Sequence, residues 1–504
     1  MNSFFSYFTA NRAEILKLTL EHCGMVSVAM SLGVLVGVPL GILLTRKKHL
    51  APIILGATTT LQTIPSVALL ALLMLLPLIG GIGFKPAITA LFLYSLLAIV
   101  ENTYAGIEQV HQPTVEAGRG MGMTDTQILT FIEIPQALPI IVAGVRISAV
   151  VCVATATIAS YIGAGGLGDL IFRGVGRANN AMVAWGALPA IALSLMVHTG
   201  LTQFERRLQS KTAPNFKRIA VFFGIGTVLA FAVFGFLSPK LNAGKTIVIG
   251  SKPFTESEIL GEMVAQLAES TGARVERKFY MGGNVCFESV KSGDMDAYIE
   301  YTGTGLVAHL KQPALTGSAR VYEKVKHAYK ERWDLNLLTP LGFNNTYAIA
   351  MRSTDAVKTI SQLKGRGLRC GFDLEFADRP DGYPGLVKTY GEFCGEVKQM
   401  NSGLLYQALA NGELDAISAY ATDGRIRTLD LAVLDDDREF FPPYDAAVLA
   451  GPNLFLKAPG LEARLNALAG KISDADMTRM NAEVDSKKRA PKDVVREFLA
   501  TLDK

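Results

Sequence analysis

Six apolar stretches run through the first half of the chain, at 24–44, 51–76, 86–107, 137–161, 181–201 and 219–237. A bilayer core of about 30 Å needs about 20 helical residues, so the pattern predicts six membrane helices. After the short polar stretch 239–244 the period changes. Thr246-Ile-Val-Ile-Gly-Ser251 reads as a buried strand, and Thr255-Glu-Ser-Glu258 as a helix start with capping-box spacing. Further strands are predicted at 296–300, 346–351, 368–372 and 414–420. Strands alternating with helices indicate an α/β architecture, and about 260 residues suffice for two lobes of about 100 each.

The fold class expected is therefore an α-helical membrane domain fused to an α/β two-lobed binding domain. Residues 1–218 form the membrane domain with a cytoplasmic loop at 110–136, and 219–244 hold the sixth span and a tether. Residues 245–504 form the second domain, with lobe 1 at about 245–344 and 445–504 and lobe 2 at about 345–444.

Charge supports the division. Lys and Arg outnumber Asp and Glu by 16 to 9 up to Gly244, against +4 for the whole chain, which leaves −3 beyond that point. Arg46, Lys47 and Lys48 follow the first span, and Arg206, Arg207, Lys211, Lys217 and Arg218 lie between the fifth and sixth. Basic loops are retained in the cytoplasm, so both clusters predict one topology with the amino terminus and the acidic half on the extracytoplasmic side of the membrane. Asn11–Leu20 carries Arg12, Glu14 and Lys17 and does not read as a cleavable signal; Leu20-Glu-His-Cys23 lacks the small residues of a lipid-attachment site. The sixth span is then the tether.

The chain is 50% hydrophobic and 19% charged with 48 Gly and five Cys, which excludes disorder, collagen and a disulfide-knot scaffold. Its basic residues flank hydrophobic spans rather than interleaving with aromatics, which argues against nucleic acid as a partner. The six His show no metal-ligand spacing, and no metal or cofactor is expected. Gly163-Ala-Gly-Gly-Leu-Gly168 fits G-x-G-x-x-G but follows a membrane span, so nucleotide binding is rejected there in favour of a bend. No G-x-x-x-x-G-K-[ST] occurs in the sequence, so ATP has no P-loop on this chain.

Between the third and fourth spans lies Val115-Glu-Ala-Gly-Arg-Gly-Met-Gly-Met-Thr-Asp-Thr-Gln-Ile-Leu-Thr-Phe-Ile-Glu-Ile-Pro135, a helix-turn-helix pattern with a Gly-rich break and a Pro stop. Its Glu116-Ala117, Gly122, Ile132 and Pro135 closely resemble the coupling-loop motif of ABC-importer permeases. Gly118 stands where Ala is usual in that family and Ile134 where Leu is usual. The resemblance implies that this loop seats on a separate ATPase subunit. One loop per chain, where such importers use two, implies a homodimer with two ATPases.

In the second half, Gly250-Ser-Lys-Pro-Phe-Thr-Glu-Ser257, Glu300-Tyr-Thr-Gly-Thr304, Asp381-Gly-Tyr-Pro-Gly385, Tyr420-Ala-Thr-Asp-Gly424 and Phe440-Phe-Pro-Pro-Tyr444 resemble the extracytoplasmic receptors for quaternary-ammonium compounds. That family includes glycine-betaine, choline, carnitine and ergothioneine receptors. The resemblance implies a natural fusion of permease and receptor that serves as a transporter subunit and not an enzyme. A trimethylammonium group has no N–H to donate, so aromatic faces must hold it. Tyr301, Tyr347, Tyr383 and Tyr420 are expected at strand ends or in the loops just after them, with Phe254 and Phe376 as further cage candidates. Thr255, Ser257, Thr302 and Thr422 are candidate donors to the ligand's other end, and Arg379 a bidentate partner for a carboxylate. Asp423 accepts from a ligand or caps the turn before Gly424.

Cys370 with Cys394 is the favoured disulfide among three thiols of this half, with free buried thiols as the competing reading. The rival function is a membrane-tethered sensor or ligand-gated channel built on the same binding domain. A membrane enzyme would need a converging nucleophile and base or a metal set, and the sequence presents neither.

Overall fold

The computed structural model describes residues 2–74, 76, 79, 81–177, 179–209 and 246–502. The chain forms two compact units, one all-helical and one α/β. The expected sixth span at 219–237 and the tether after it lie outside the described residues.

The helical unit runs through α1 (Asn2–Arg46), α2 (Ala51–Thr63), α3 (Ser66–Met74), α4 (Phe84–Glu108), α5 (Gln112–Gly120), α6 (Asp125–Ile128), α7 (Ile134–Ala159), α8 (Leu167–Gly176) and α9 (Asn180–Gln209). Four helical segments among the described residues are long and apolar enough to cross a membrane: Phe4–Arg46, Phe84–Glu108, Asp125–Ile162 and Asn180–Leu208. The first begins well before the expected 24–44, because polar positions interrupt hydropathy there without interrupting the helix; only Asn11 departs from helical dihedrals. The second expected span, 51–76, is instead two helices bent by 100°. Pro65 explains the break. It has no N–H for the helical ladder and drives the residue before it to extended backbone, where Ile64 stands at φ −69°, ψ 125°.

Close packing of α1 on α4 rests on three glycines one helical turn apart. A Cβ on Gly33 would lie 2.2 Å from Ser95 Oγ, on Gly37 2.8 Å from Ile99 Cγ2, and on Gly41 2.6 Å from Thr103 Cβ. Between apolar helices in lipid there is little hydrophobic gain on contact, so backbone approach through small residues supplies the dispersion energy. Met25, Ala29, Leu91, Tyr94, Cys152 and Ala156 continue this core between α1, α4 and α7.

The loop at 110–136 is a helix-turn-helix, with Gly122 in the turn at φ +82° and Thr124 capping α6 in a capping box with Gln127. Pro135 does not stop the chain's helix as expected. It lies in the first turn of α7, where no intrahelical N–H is required, and a π-helical turn at Leu129–Glu133 carries the helix through. Arg46 at the end of α1 ion-pairs with buried Glu133 and so ties this loop to the first helix. Gly118 packs on Ile132: an added Cβ would lie 2.6 Å from Ile132 Cδ1, which gives the departure from Ala a steric reason.

The α/β unit contains two five-stranded sheets. The first, in order β2-β1-β3-β10-β4, is built from β1 (Thr246–Gly250), β2 (Arg274–Lys278), β3 (Ala297–Tyr301), β4 (Asn336–Leu337) and β10 (Ala446–Ala450). The second, in order β7-β6-β8-β5-β9, is built from β5 (Tyr347–Arg352), β6 (Leu368–Phe372), β7 (Cys394–Gln399), β8 (Ala416–Tyr420) and β9 (Leu431–Val433). The chain passes from one sheet to the other between β4 and β5 and returns between β9 and β10. Those crossings run side by side as an antiparallel Asn344–Asp445 bridge, in which Asn345 N–H donates to Tyr444 O (3.1 Å) and Tyr444 N–H to Asn344 Oδ1 (2.8 Å).

The helix after β1, α10 (Thr255–Glu269), starts where expected, but Thr255 does not cap it. Phe254 is the capping position, and Thr255 Oγ1 donates instead to Asp485 (2.6 Å). A disulfide joins Cys370 of β6 to Cys394 of β7, as favoured from sequence.

The glycine stripe has a direct test. Gly37→Leu forces a side chain into Ile99 and is expected to destabilise the helical unit by about 1–3 kcal/mol. Gly24→Leu, on the same helix with nothing within 4 Å of its Cβ direction, should not. Melting of the detergent-solubilised chain compares them; equal melting temperatures would remove the stripe from the packing account.

Candidate functional site

Five of the six expected cage aromatics converge. Tyr301 ends β3 and Phe254 follows β1, so both come from the first sheet; Tyr347 opens β5 and Tyr420 ends β8 of the second, directly opposite one another in the antiparallel register. Phe376 lies on α11 (Leu374–Asp378) just after β6. Phe254 stacks on Tyr420 at 5.4 Å between centroids and lies 6.0 Å from Tyr301. Tyr347 stacks on Tyr420 at 5.2 Å and meets Phe376 at 5.0 Å. The strand ends are what aim these rings at one another: each sheet delivers its aromatics at the edge facing the other sheet.

Protein cations already use ring faces here. Arg379 Cζ sits 5.7 Å from the Tyr347 centroid and Lys252 Nζ 5.3 Å from that of Tyr301. Within about 6 Å the ring quadrupole attracts a cation, so these rings are in cation-binding geometry. Burial raises the hydroxyl pKa of Tyr301, Tyr347 and Tyr420 well above its usual value, which keeps them neutral, with intact quadrupoles, at any physiological pH.

Tyr383 is placed elsewhere. Its ring packs on Phe372 (4.8 Å) and edge-on to Phe393 (5.5 Å), and its hydroxyl donates to Glu392. It opens the helix Tyr383–Tyr390, whose buried Leu386 and Tyr390 share one core with the other rings, so Tyr383 lines that core without a ring contact to the five. Two aromatics take part that the sequence reading quoted within Phe440–Tyr444 without assigning: Tyr444, edge-on to Tyr347 at 5.3 Å, and Phe441 at 6.4 Å.

The polar residues expected to reach a ligand hold the site's frame. Ser257 Oγ accepts from Lys252 N–H (2.8 Å). Thr302 Oγ1 donates to Pro443 O (3.1 Å) and accepts from Asp445 N–H (3.0 Å), fastening β3 to the return crossing. Arg379 is bidentate to Asp381, and Tyr444 hydroxyl donates to the same carboxylate. Asp423 takes the capping alternative: it accepts from Arg425 N–H (2.9 Å) and ion-pairs with that side chain (2.6 Å) at α12 (Gly424–Thr428). Thr422 donates to Glu256.

Glu256 and Asp373 are buried carboxylates beside these rings that the sequence reading did not single out. Glu256 Oε1 accepts from Tyr301 hydroxyl (2.7 Å) and Asn345 Nδ2 (2.8 Å), while Oε2 accepts from Thr422 hydroxyl and Asn481 Nδ2 (3.2 Å). Burial nevertheless pushes its pKa up to about 7, against those four donors. Asp373, beside Tyr347 and Tyr420, caps α11 through the N–H groups of Glu375 and Phe376 (3.0 Å each), and burial pushes it up to about 6. A cavity of about 680 Å³ opens beside the crossings, lined by Asn344, Lys358, Asp435 and Glu439, and meets the ring cluster only at Tyr347 and Phe441.

In the helical unit Glu116, Ala117, Gly122 and Pro135 are exposed and Ile132 is half-buried; Met121 (75%) and Phe131 (70%) add bare apolar side chains to the same surface.

The two raised carboxylates fix a pH dependence. Each holds its proton more tightly folded than unfolded, so its stabilising contribution is full below about pH 4 and is lost as pH rises through 6 and 7. The melting temperature of wild-type 245–504, relative to that of Glu256→Gln, should fall between pH 5 and pH 8, by the equivalent of about 1–3 kcal/mol. A constant difference would show that Glu256 titrates at its ordinary value.

Residues 245–501 match the family described as the substrate binding domain of ABC-type glycine betaine transport systems, and 35–210 match the binding-protein-dependent transport system inner membrane component. The ergothioneine transport permease/ergothioneine binding protein EgtU of Helicobacter pylori is 34% identical over 486 residues, 92% of this chain and 86% of that protein. The carnitine transport permease protein OpuCB of Listeria monocytogenes is 44% identical over 42% of this chain and 95% of its own length. The carnitine transport binding protein OpuCC of the same species is 36% identical over 50% of this chain and 86% of its own. A crystal structure of a glycine betaine/carnitine/choline ABC transporter matches at 33% identity and TM-score 0.45, over 51% of this chain and 98% of that one. With both halves matched, and one relative aligned across nearly the whole length, the chain belongs to the ABC-importer family and joins a membrane permease to a substrate-binding domain in a single polypeptide.

Proposed function

We propose that this integral membrane protein imports a quaternary-ammonium compound, captured by the Phe254–Tyr301–Tyr347–Phe376–Tyr420 cage and passed to its own permease half. The observation that carries the reading is the run of ring contacts joining the two sheets, Tyr301–Phe254–Tyr420–Tyr347–Phe376, with protein cations over the Tyr301 and Tyr347 faces. A methylated nitrogen has no N–H for the site's carboxylates and carbonyls, and ring faces supply its attraction without that requirement. Ergothioneine is the leading ligand, since the relative named for it spans both halves; carnitine, choline and glycine betaine relatives each match a single half.

The basic loops at Arg46–Lys48 and Arg206–Arg207 support a binding domain on the periplasmic side of the bacterial inner membrane. The Cys370–Cys394 disulfide agrees with an oxidising compartment. Two chains pair, and each seats one ATPase on the surface that carries Glu116, Ala117, Gly122, Ile132 and Pro135, where exposed Met121 and Phe131 favour a protein partner over water. Tethering makes capture and delivery intramolecular, at an effective concentration of order mM.

Titration of residues 245–504 with ergothioneine, glycine betaine, choline and carnitine tests the cage. Tyr301→Ala and Tyr420→Ala should each weaken binding by about 1–3 kcal/mol; binding of an unmethylated amino acid and none of the four would overturn the assignment. Gly122→Asp puts a side chain where φ is +82° and a charge on the coupling surface. Uptake by cells should be lost while ligand binding is retained, whereas a sensor or channel would keep its response.

A further inference from the structure

Glu256 is the point where the most independent parts of the binding domain meet. Its helix, α10, follows β1; Tyr301 ends β3; Asn345 lies on the outgoing crossing; Asn481 lies on α13 (Asp474–Asp485); Thr422 follows β8 of the other sheet. All five side chains are at least 95% buried. The arrangement is one acceptor group facing four donors, and each oxygen is filled by one hydroxyl and one amide. The amide oxygens of Asn345 and Asn481 have no partner, so both amides are turned with their N–H groups toward the carboxylate. Asn481 also donates to Thr422 O (2.9 Å), which fixes the Thr422 backbone to α13.

The charged groups on the neighbouring elements are engaged elsewhere. Lys252 pairs with Glu300 (2.5 Å), Asp423 with Arg425 (2.6 Å), and Asp485 accepts from Thr255 (2.6 Å). Glu256 is thus held by neutral donors alone, and of these only Thr422 belongs to the second sheet. Separation of the sheets would therefore part Thr422 from both Glu256 and Asn481 while Tyr301, on the first sheet, stays.

We propose that Glu256 is the positioning residue that latches the closed cleft: by binding Tyr301 and Thr422 on one carboxylate, it couples the setting of a cage ring to the contact between lobes. The claim rests on the cage reading above and adds a kinetic role to a side chain that need not touch the ligand. A latch acts on the closed state, so its loss accelerates ligand escape more than it slows ligand entry.

The test uses the full chain in lipid nanodiscs, with ergothioneine, choline, carnitine and glycine betaine as probes and stopped-flow measurement of association and dissociation. Glu256→Gln presents an amide to a ring of donors, and Thr422→Val removes the cross-lobe donor while keeping its shape. Each should speed dissociation about tenfold or more with association within about threefold. The double variant should be no worse than the poorer single variant, because both break one contact. Tyr420→Ala serves as the cage control. If it weakens binding and neither latch variant changes the dissociation rate, the latch is overturned and the cage stands; independent, multiplying effects of the two latch variants overturn it as well. If no probe binds the wild-type chain, both readings fall together.

Discussion

A cation without N–H groups leaves a protein few ways to hold it, and under the proposed function that constraint organises the binding domain. Ring faces must surround the charge, and no single sheet edge presents enough of them. Phe254 and Tyr301 come from one sheet and Tyr347, Phe376 and Tyr420 from the other, so the proposed cage draws on both sheets and on the chain that connects them. The paired crossings at Asn344 and Asp445 connect the two sheets through two short antiparallel stretches of chain. Most of the polar residues around the rings serve to hold this frame, which is why Ser257, Thr302 and Arg379 are engaged with protein partners.

A second constraint governs the helical unit. Lipid offers no solvent-driven reason for helices to associate, so contact must come from proximity itself. The Gly33, Gly37 and Gly41 stripe brings α1 against α4, and the Arg46–Glu133 ion pair then ties the end of α1 to the loop that faces the cytoplasm in the proposed topology. A displacement of that loop would therefore act on α1 directly, through an ion pair whose acid is buried, and on α4 through the glycine contacts.

Much of this was legible in the sequence, and the omissions have physical causes. Strands buried on both faces announce themselves: β1, β3, β5, β6 and β8 were located to within two residues. Edge strands were missed because they need no apolar pattern; β2 reads Arg-Val-Glu-Arg-Lys and β7 is exposed along most of its length. Central β10 was missed for the opposite reason, since Ala446-Ala-Val-Leu-Ala450 is short-chained and carries no strand propensity that stands out. In the membrane half, hydropathy located the spans within α1, α4, α7 and α9 and was blind to the 100° bend at Pro65, because an averaging window counts a broken helix and a straight one alike.

The site shows the same limit more sharply. The ring residues were proposed because strand ends next to aromatic motifs are where α/β sheets place ligands; Tyr383, proposed with them, begins a helix and packs on Phe372 and Phe393. Glu256 was passed over although it stands inside a quoted motif, between Thr255 and Ser257, both of which were assigned. Its role arises from partners at positions 301, 345, 422 and 481, spread over some 180 residues, and no local pattern announces such a meeting. A buried carboxylate is costly to keep unless its neighbours are donors. The physical signal is therefore the donor set as a whole, assembled from four separate segments by the fold.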